Sequence, residues 1–371
     1  MSGPRPDGLV LHMQKVAGIS GSEAHLLELL PDLRARGWEV EFLMLHEDEP
    51  GAWDFARELE TRGVPLTAIR VRADVDPLAY ADVVRALARR RPRILHTHLV
   101  HADVYGQLAG AAVRVSLRLS TKHGFNWFRE SRFFALADRG VASFVHVHIA
   151  ISRGLARYLA EKEGFAEDEF QIVHYGIRPK DEPPSRRDNV PRLLCVGRLI
   201  PVKGHIVLLR ALAQARARVP ELRLDLAGHG PLEPALRAYV RELRLTDAVQ
   251  FLGFVSPVQK AIEDAAVVVV PSLGEGFGMV ALEALERARP VIASDVGGLP
   301  EIVEHDVTGL VVPAGDAEAL ADALVALAAD PDRAVAMGRA GRERALTAFR
   351  QEQCTKATEG LYLDALERAS S

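Results

Sequence analysis

Short apolar runs alternate with longer amphipathic stretches along nearly the whole chain, and this rhythm restricts the fold more than any other feature. The runs include Leu9–Met13, Val40–Leu45, Ile94–His96, Val145–Ile151, Leu193–Val196, Leu222–Ala227, Val267–Val270 and Pro290–Ala293. Helical patterns such as Ala24–Arg36 and Val207–Arg218 lie between them. Runs that are apolar throughout suit strands buried on both faces. Their alternation with helices points to parallel sheets covered on both sides. One segment, RPKDEPPSRRDNVP from Arg178 to Pro191, is rich in proline and charge, has no apolar face and reads as a linker. The expected organisation is therefore α/β, with two doubly wound Rossmann-like domains facing across a cleft. One covers residues 1–180 and the other 190–349, and the chain ends in a helical segment of about 350–371.

Composition removes several function classes. The formal net charge is -4, so bulk charge offers nothing to nucleic acid. Two cysteines, Cys195 and Cys354, make neither a disulfide framework nor a metal-ligand pattern, which suits a reducing cytoplasm. Residues Met1 to Gly8 carry no apolar h-region, and no apolar run reaches the length of about 18 to 20 residues that spans a bilayer. Peripheral contact at the inner membrane face is the one membrane association left open.

Three stretches carry chemistry. In VVVVPSLGEGFGMVALEAL, Val267–Leu285, an apolar strand ends at Pro271, and a turn holding Gly274, Gly276 and Gly278 opens a helix. The unpaired N–H groups and the dipole of a helix start attract phosphate. Glu275 and Glu283 flank that helix start, and carboxylates suit the vicinal hydroxyls of a sugar or ribose. The alternative is a loop glutamate beside a solvated helix glutamate. In LLCVGRLIPVKG, Leu193–Gly204, a buried strand runs into a loop carrying Arg198 and Lys203, two cations placed for a diphosphate. An ordinary surface loop would read the same way. In the third stretch, Leu9–Glu23, the GISGSE turn holds Gly18 and Gly21, and Ser20 with Glu23 fits a capping box. It is not a GxGxxG, and no acidic residue is expected at the end of the next strand, so an NAD-linked dehydrogenase is disfavoured.

The order of these features changes their meaning. Arg198 and Lys203, then AGHGP (Ala227–Pro231), FLGF (Phe251–Phe254), PSLGEGFG with Glu283, and SDVGGLPEIVEHDVTGLVVPAGD (Ser294–Asp316) follow one another. This series closely resembles the donor half of glycosyltransferase family 4, the retaining GT-B enzymes with an E-x7-E motif. The resemblance implies that Arg198 and Lys203 hold the donor diphosphate and that Glu275 contacts the transferred sugar. It implies that Gly276, Phe277, Gly278, Met279 and Val280 meet sugar and phosphates, that Glu283 binds the ribose, and that Phe254 lies near the base. In the N-domain, Gly21 would approach the phosphates and His123 of STKHGFN would sit beside the sugar. The last helix would cross back to the N-domain.

The implied activity is metal-independent, retaining transfer of a hexose-type sugar from a nucleotide-diphosphate sugar to a glycan, lipid-linked or small-molecule acceptor. No carboxylate stands out as a nucleophile, so the resemblance implies attack on the face the phosphate vacates, with no cofactor and no bound metal. A sugar phosphorylase of the same fold and a silent nucleotide or sugar binder are the alternatives. The four charged donor residues argue against the silent binder. GISGSE, Tyr175, His229 and His148 depart from the family pattern and bear on sugar and acceptor rather than on reaction class.

Other clusters have plainer readings. His96, His98 and His101 are spaced as metal ligands could be, and His96 with His98 would share one strand face, yet no metal is expected there. A cleft-lining role for one of them is open, and His146 and His148 read as structural. Trp127–Ala137, WFRESRFFALA, would suit an interfacial helix or a helix packed on the sheet, and Arg85–Arg93 reads as a helix end.

Overall fold

A computed structural model describes residues 8–73, 75–125, 139–181, 183 and 191–370. The chain divides into two compact units, Met1–Gly176 with Gln351–Ser371, and Ile177–Arg350. Residues 182 and 184–190 of the linker, and all of the aromatic segment 127–137, lie outside the described residues.

The first unit is built on seven parallel strands. In chain order these are β1 (Leu9–Lys15), β2 (Glu39–His46), β3 (Leu66–Arg70), β4 (Ile94–His98), β5 (Leu117–Lys122), β6 (Val147–Ala150) and β7 (Phe170–Ile172). They lie side by side as β3-β2-β1-β4-β5-β6-β7. The chain therefore winds outward from β1 in one direction, returns, and continues from β4 in the other. Helix α1 (Gly21–Ala35) follows β1 directly, and the Glu23 carboxylate accepts the Ser20 backbone N–H at 3.0 Å, as the capping pattern requires. Helix α2 (Pro77–Arg90) ends in the basic run, where Arg90 reaches Glu41 and Thr67, both at 2.6 Å.

The second unit has six parallel strands, β8 (Arg192–Val196), β9 (Arg223–Ala227), β10 (Val249–Gly253), β11 (Val267–Val270), β12 (Val291–Ser294) and β13 (Gly309–Val312). Their order is β10-β9-β8-β11-β12-β13, so winding reverses between β8 and β11. Helices α3 (His205–Arg216), α4 (Met279–Glu286) and α5 (Ala317–Ala329) flank the sheet. Central strands are apolar along their length because both faces are covered: all four β11 residues are buried.

Helix α6 (Gln351–Ser370) follows the second unit in sequence but belongs to the first by its contacts, as the resemblance implied. Its Tyr362, Ala365 and Leu366 join the core formed by α1, β1 and β2, and Glu359 accepts from Trp38 Nε1 at 2.8 Å. No helix among the described residues is long and apolar enough to cross a membrane. Leu366→Ala would empty a buried site in this core. The expected cost is about 2–5 kcal/mol, read as a lower urea midpoint for the first unit, with an unchanged midpoint assigning α6 no role in its stability.

Candidate active site

In open α/β sheets, ligands gather at the carboxyl ends of strands where the winding reverses. In the second unit that place lies between β8 and β11, and both charged motifs meet there. The loop after β8 turns through Gly204, whose φ is +69°, and a Cβ at this residue would stand 1.8 Å from the Pro271 carbonyl oxygen. Only glycine allows this approach. Leu273 N–H then donates to the Val202 carbonyl at 2.7 Å, tying the β8 and β11 loops together. As a result Lys203 Nζ donates to Glu275 Oε2 at 2.6 Å, and Ser272 Oγ donates to the same oxygen at 3.3 Å. Arg198 stands on the same loop, exposed.

Gly278 opens α4 with φ +109°, and a Cβ there would lie 2.5 Å from the Leu299 side chain. The first N–H groups of the helix, from Met279 and Val280, point out of its start without an intrahelical acceptor. Gly276 and Phe277 are buried beneath the turn, with Phe277 packed edge-on against Phe349. Glu283 lies inside α4. Burial pushes its carboxyl up to about 7; Lys180 lowers it and Glu286 raises it further. Phe254, just past β10, is 73% exposed and lies edge-on to His229.

In the first unit the winding reverses between β1 and β4. Gly21 is the exposed first residue of α1. His123 follows β5 and is partly exposed. Both of its ring nitrogens are engaged within the protein: Nε2 lies 2.8 Å from His98 Nδ1, and Nδ1 meets the Tyr175 hydroxyl.

Two family models match the chain, "Glycosyl transferase 4-like domain" over residues 20–176 and "Glycosyl transferases group 1" over residues 190–330. The D-inositol 3-phosphate glycosyltransferase of Nocardia farcinica is 30% identical over 368 residues, covering 86% of this chain and 79% of that protein. The chain belongs to glycosyltransferase family 4. A second relative, the GDP-mannose-dependent alpha-(1-6)-phosphatidylinositol monomannoside mannosyltransferase of Mycobacterium tuberculosis, is 41% identical over 162 residues. That match covers 41% of this chain and 42% of that protein, less than half its length. Among solved structures, Anabaena HepE in complex with UDP-glucose superposes with a TM-score of 0.82 at 20% identity, covering 96% of this chain and 100% of that one. The fold is of the GT-B type.

Within this family member the structure brings together Lys203, Glu275, Gly278 and the start of α4, which the sequence offered as separate motifs. It also adds residues that the sequence reading passed over. Ser272 holds the Glu275 carboxylate. His205, the first residue of α3, is 2% exposed, and neither ring nitrogen meets a partner among the described residues. Burial first, then Lys203, pushes its pKa down to about 4, so the ring is neutral. Its position directly after the Lys203–Gly204 turn was the available signal. An expectation also needs correcting: Glu47 stands immediately after β2, where no acidic residue was anticipated, and it is held by Lys15. The strand boundary lies at His46, one residue beyond the apolar run, which brings Glu47 to the strand end. His148 packs edge-on against Phe165 and Phe170, and His146 contacts the Arg118 guanidinium at 3.0 Å. His12, absent from the sequence reading, joins His96 and His98 in a buried group in which one ring nitrogen of each lies within 4.8 Å of the others; His101 stays outside it.

The raised pKa of Glu283 has a definite sign. The folded state favours its neutral form, so its contribution to stability is full below the ordinary carboxyl value and is lost as pH rises towards about 7. Urea midpoints should fall for this reason between pH 4.5 and 7, and Glu283→Gln should flatten that part of the profile. An identical slope in the variant would remove Glu283 as its source.

Proposed function

We propose that the second unit binds a nucleotide-diphosphate sugar and that the protein transfers its hexose, with retention and without a metal ion, to a hydroxyl acceptor. The observation that carries this reading is the Lys203–Glu275 pair beside the glycine-opened start of α4, with Glu283 part-buried farther along the helix. The relative named as GDP-mannose-dependent and the neighbour solved with UDP-glucose support a donor of this chemistry.

A diphosphate arriving at α4 would find helix N–H donors and two cations. Lys203 would exchange its bond to Glu275 for the phosphate, and Arg198 would swing in from its exposed position. Both gain value as the leaving diphosphate acquires charge in the transition state. Glu275, released from Lys203, would accept hydroxyls of the sugar and orient the anomeric carbon. Glu283 would accept the two ribose hydroxyls, which favour its ionised form. The acceptor oxygen would attack from the side the phosphate leaves, and a phosphate oxygen would take its proton. With the wild-type enzyme turning over in EDTA, Lys203→Ala should lower kcat by about 10² under the same conditions. An unchanged kcat, or turnover that returns only with Mg²⁺ or Mn²⁺, would contradict this division of labour.

The two glutamates should fail differently. Ribose contacts are equal in ground and transition states, so Glu283→Ala should weaken free nucleotide diphosphate by about 1–3 kcal/mol, the scale of a charged hydrogen bond. Glu275→Ala frees Lys203 for the phosphate, so it should leave nucleotide affinity unchanged or tighter while turnover with the full donor falls. Calorimetry with UDP and GDP decides it. Loss of nucleotide affinity in Glu275→Ala but not in Glu283→Ala would reverse the placement of the donor.

A further inference from the structure

His123 is the outer member of a longer structure. On the sheet face covered by α1 and α6, the parallel register sets His12 beside His96, and His98 beside both Gln14 and Thr121. Residues nearer the amino ends of the same strands, Val10, Ile94 and Leu117, are apolar and buried, so this polar group sits above a dry floor. Burial pushes the His12 pKa down to about 3 and holds those of His96, His98 and His123 well below the ordinary value. All four rings are therefore neutral, and each has one N–H donor and one acceptor nitrogen.

The contacts run in single file. Thr121 Oγ1 lies 2.7 Å from His96 Nε2, and His96 Nδ1 lies 2.7 Å from the Tyr362 hydroxyl. That hydroxyl is 3.1 Å from His12 Nε2, and His12 Nδ1 is 2.9 Å from His98 Nε2. His98 Nδ1 then meets His123 Nε2 at 2.8 Å, and His123 Nδ1 meets the Tyr175 hydroxyl. Every ring spends both nitrogens, and every link needs one hydrogen. Two arrangements satisfy all the links and also use the Tyr362 hydroxyl hydrogen. If Tyr175 donates to His123, all four histidines carry hydrogen on Nε2 and the last one donates to Thr121. If Thr121 donates to His96, all four carry it on Nδ1 and His123 donates to Tyr175. Any mixture either leaves a buried link with two hydrogens or with none, or has the Tyr362 hydroxyl accept from both His12 and His96 with its own buried hydrogen unpaired, and each of these costs a hydrogen bond in a place with no solvent to repair it.

We propose that His12, His96, His98, Tyr362 and Thr121 form a tautomer-locked positioning chain that sets the hydrogen on His123. Its other end, at Thr121, lies five hydrogen-bond links from the His123 ring along the chain and fixes whether His123 or Tyr175 donates in the bond between them. These are positioning residues, since they act through His123. Its bearing on transfer rests on the reading under Proposed function; the chain itself does not.

The full-length protein labelled with ¹⁵N at the histidine rings provides the test. Two-bond ¹H–¹⁵N spectra should show four neutral rings of one common tautomer at His12, His96, His98 and His123. A mixed set, or an imidazolium among them, overturns the proposal. So does uptake of one equivalent of Zn²⁺ that shifts His12, His96 and His98 together, which would make this group a metal centre. Tyr362→Phe removes the hydroxyl joining His12 to His96 and keeps the buried ring. It should shift the nitrogens of His12 and, through the chain, of His98 and His123, and lower kcat several-fold with the donor KM unchanged. If Tyr362→Phe leaves the His98 and His123 nitrogens at their wild-type positions, the links are not coupled and the proposal fails. A wild-type protein with no transferase activity but a common tautomer would sink the functional reading and leave the chain standing.

Discussion

The charged loops of the second unit depend on the parallel pairing of β8 with β11. These strands are far apart in sequence, yet Val267 lies opposite Leu193 and Val268 opposite Leu194. The loops leaving their carboxyl ends must therefore run side by side. Neither loop could approach the other if residue 204 carried a side chain, because the Pro271 carbonyl occupies that space. From this one contact follow the Val202–Leu273 backbone bond, the Lys203–Glu275 ion pair and the orientation of the turn that opens α4. The pair is partly exposed, so it adds little to the stability of the fold.

The first unit repeats the same topological device with different contents. Its winding reverses between β1 and β4, and the carboxyl ends of those strands carry histidines, a glutamine and a threonine, with the GISGSE turn following β1. Burying the histidines is tolerated because their ring nitrogens bond to one another, to Thr121 and to the Tyr362 and Tyr175 hydroxyls. Helix α6 contributes to this balance through Tyr362, whose hydroxyl lies between His12 and His96 while its ring fills the core beside Trp38. The carboxyl end of the chain thus supplies a member of a network that begins in the first strand.

Much of this architecture could be read from residues alone, and for identifiable reasons. Apolar runs such as Val267–Val270 declare a strand covered on both faces, since no exposed strand would carry four valines in a row. The glycine-bearing charged motifs of the second unit were legible because their glycines and charges sit close together in sequence, at strand–helix turns that any fold of this class must make. The His96–His98 alternation announced a shared strand face, which the register bears out. His12, Tyr175 and Tyr362 carried no local signal of partnership. Each is an ordinary residue in its own segment, and their neighbours are 86, 52 and 266 residues away.

By itself the sequence determined the class of fold, the strand–helix turns and the kinds of chemical group present at each, because these depend on periodicity and on neighbours a few residues apart. Only the tertiary structure decided which of those groups face one another. It set Lys203 against Glu275 rather than leaving each to solvent, raised the Glu283 carboxyl by burying it, and engaged both nitrogens of His123 within the protein. Those outcomes depend on sheet order and on close approach of backbones, and distances of this kind are fixed by packing across the whole unit, which no local pattern encodes.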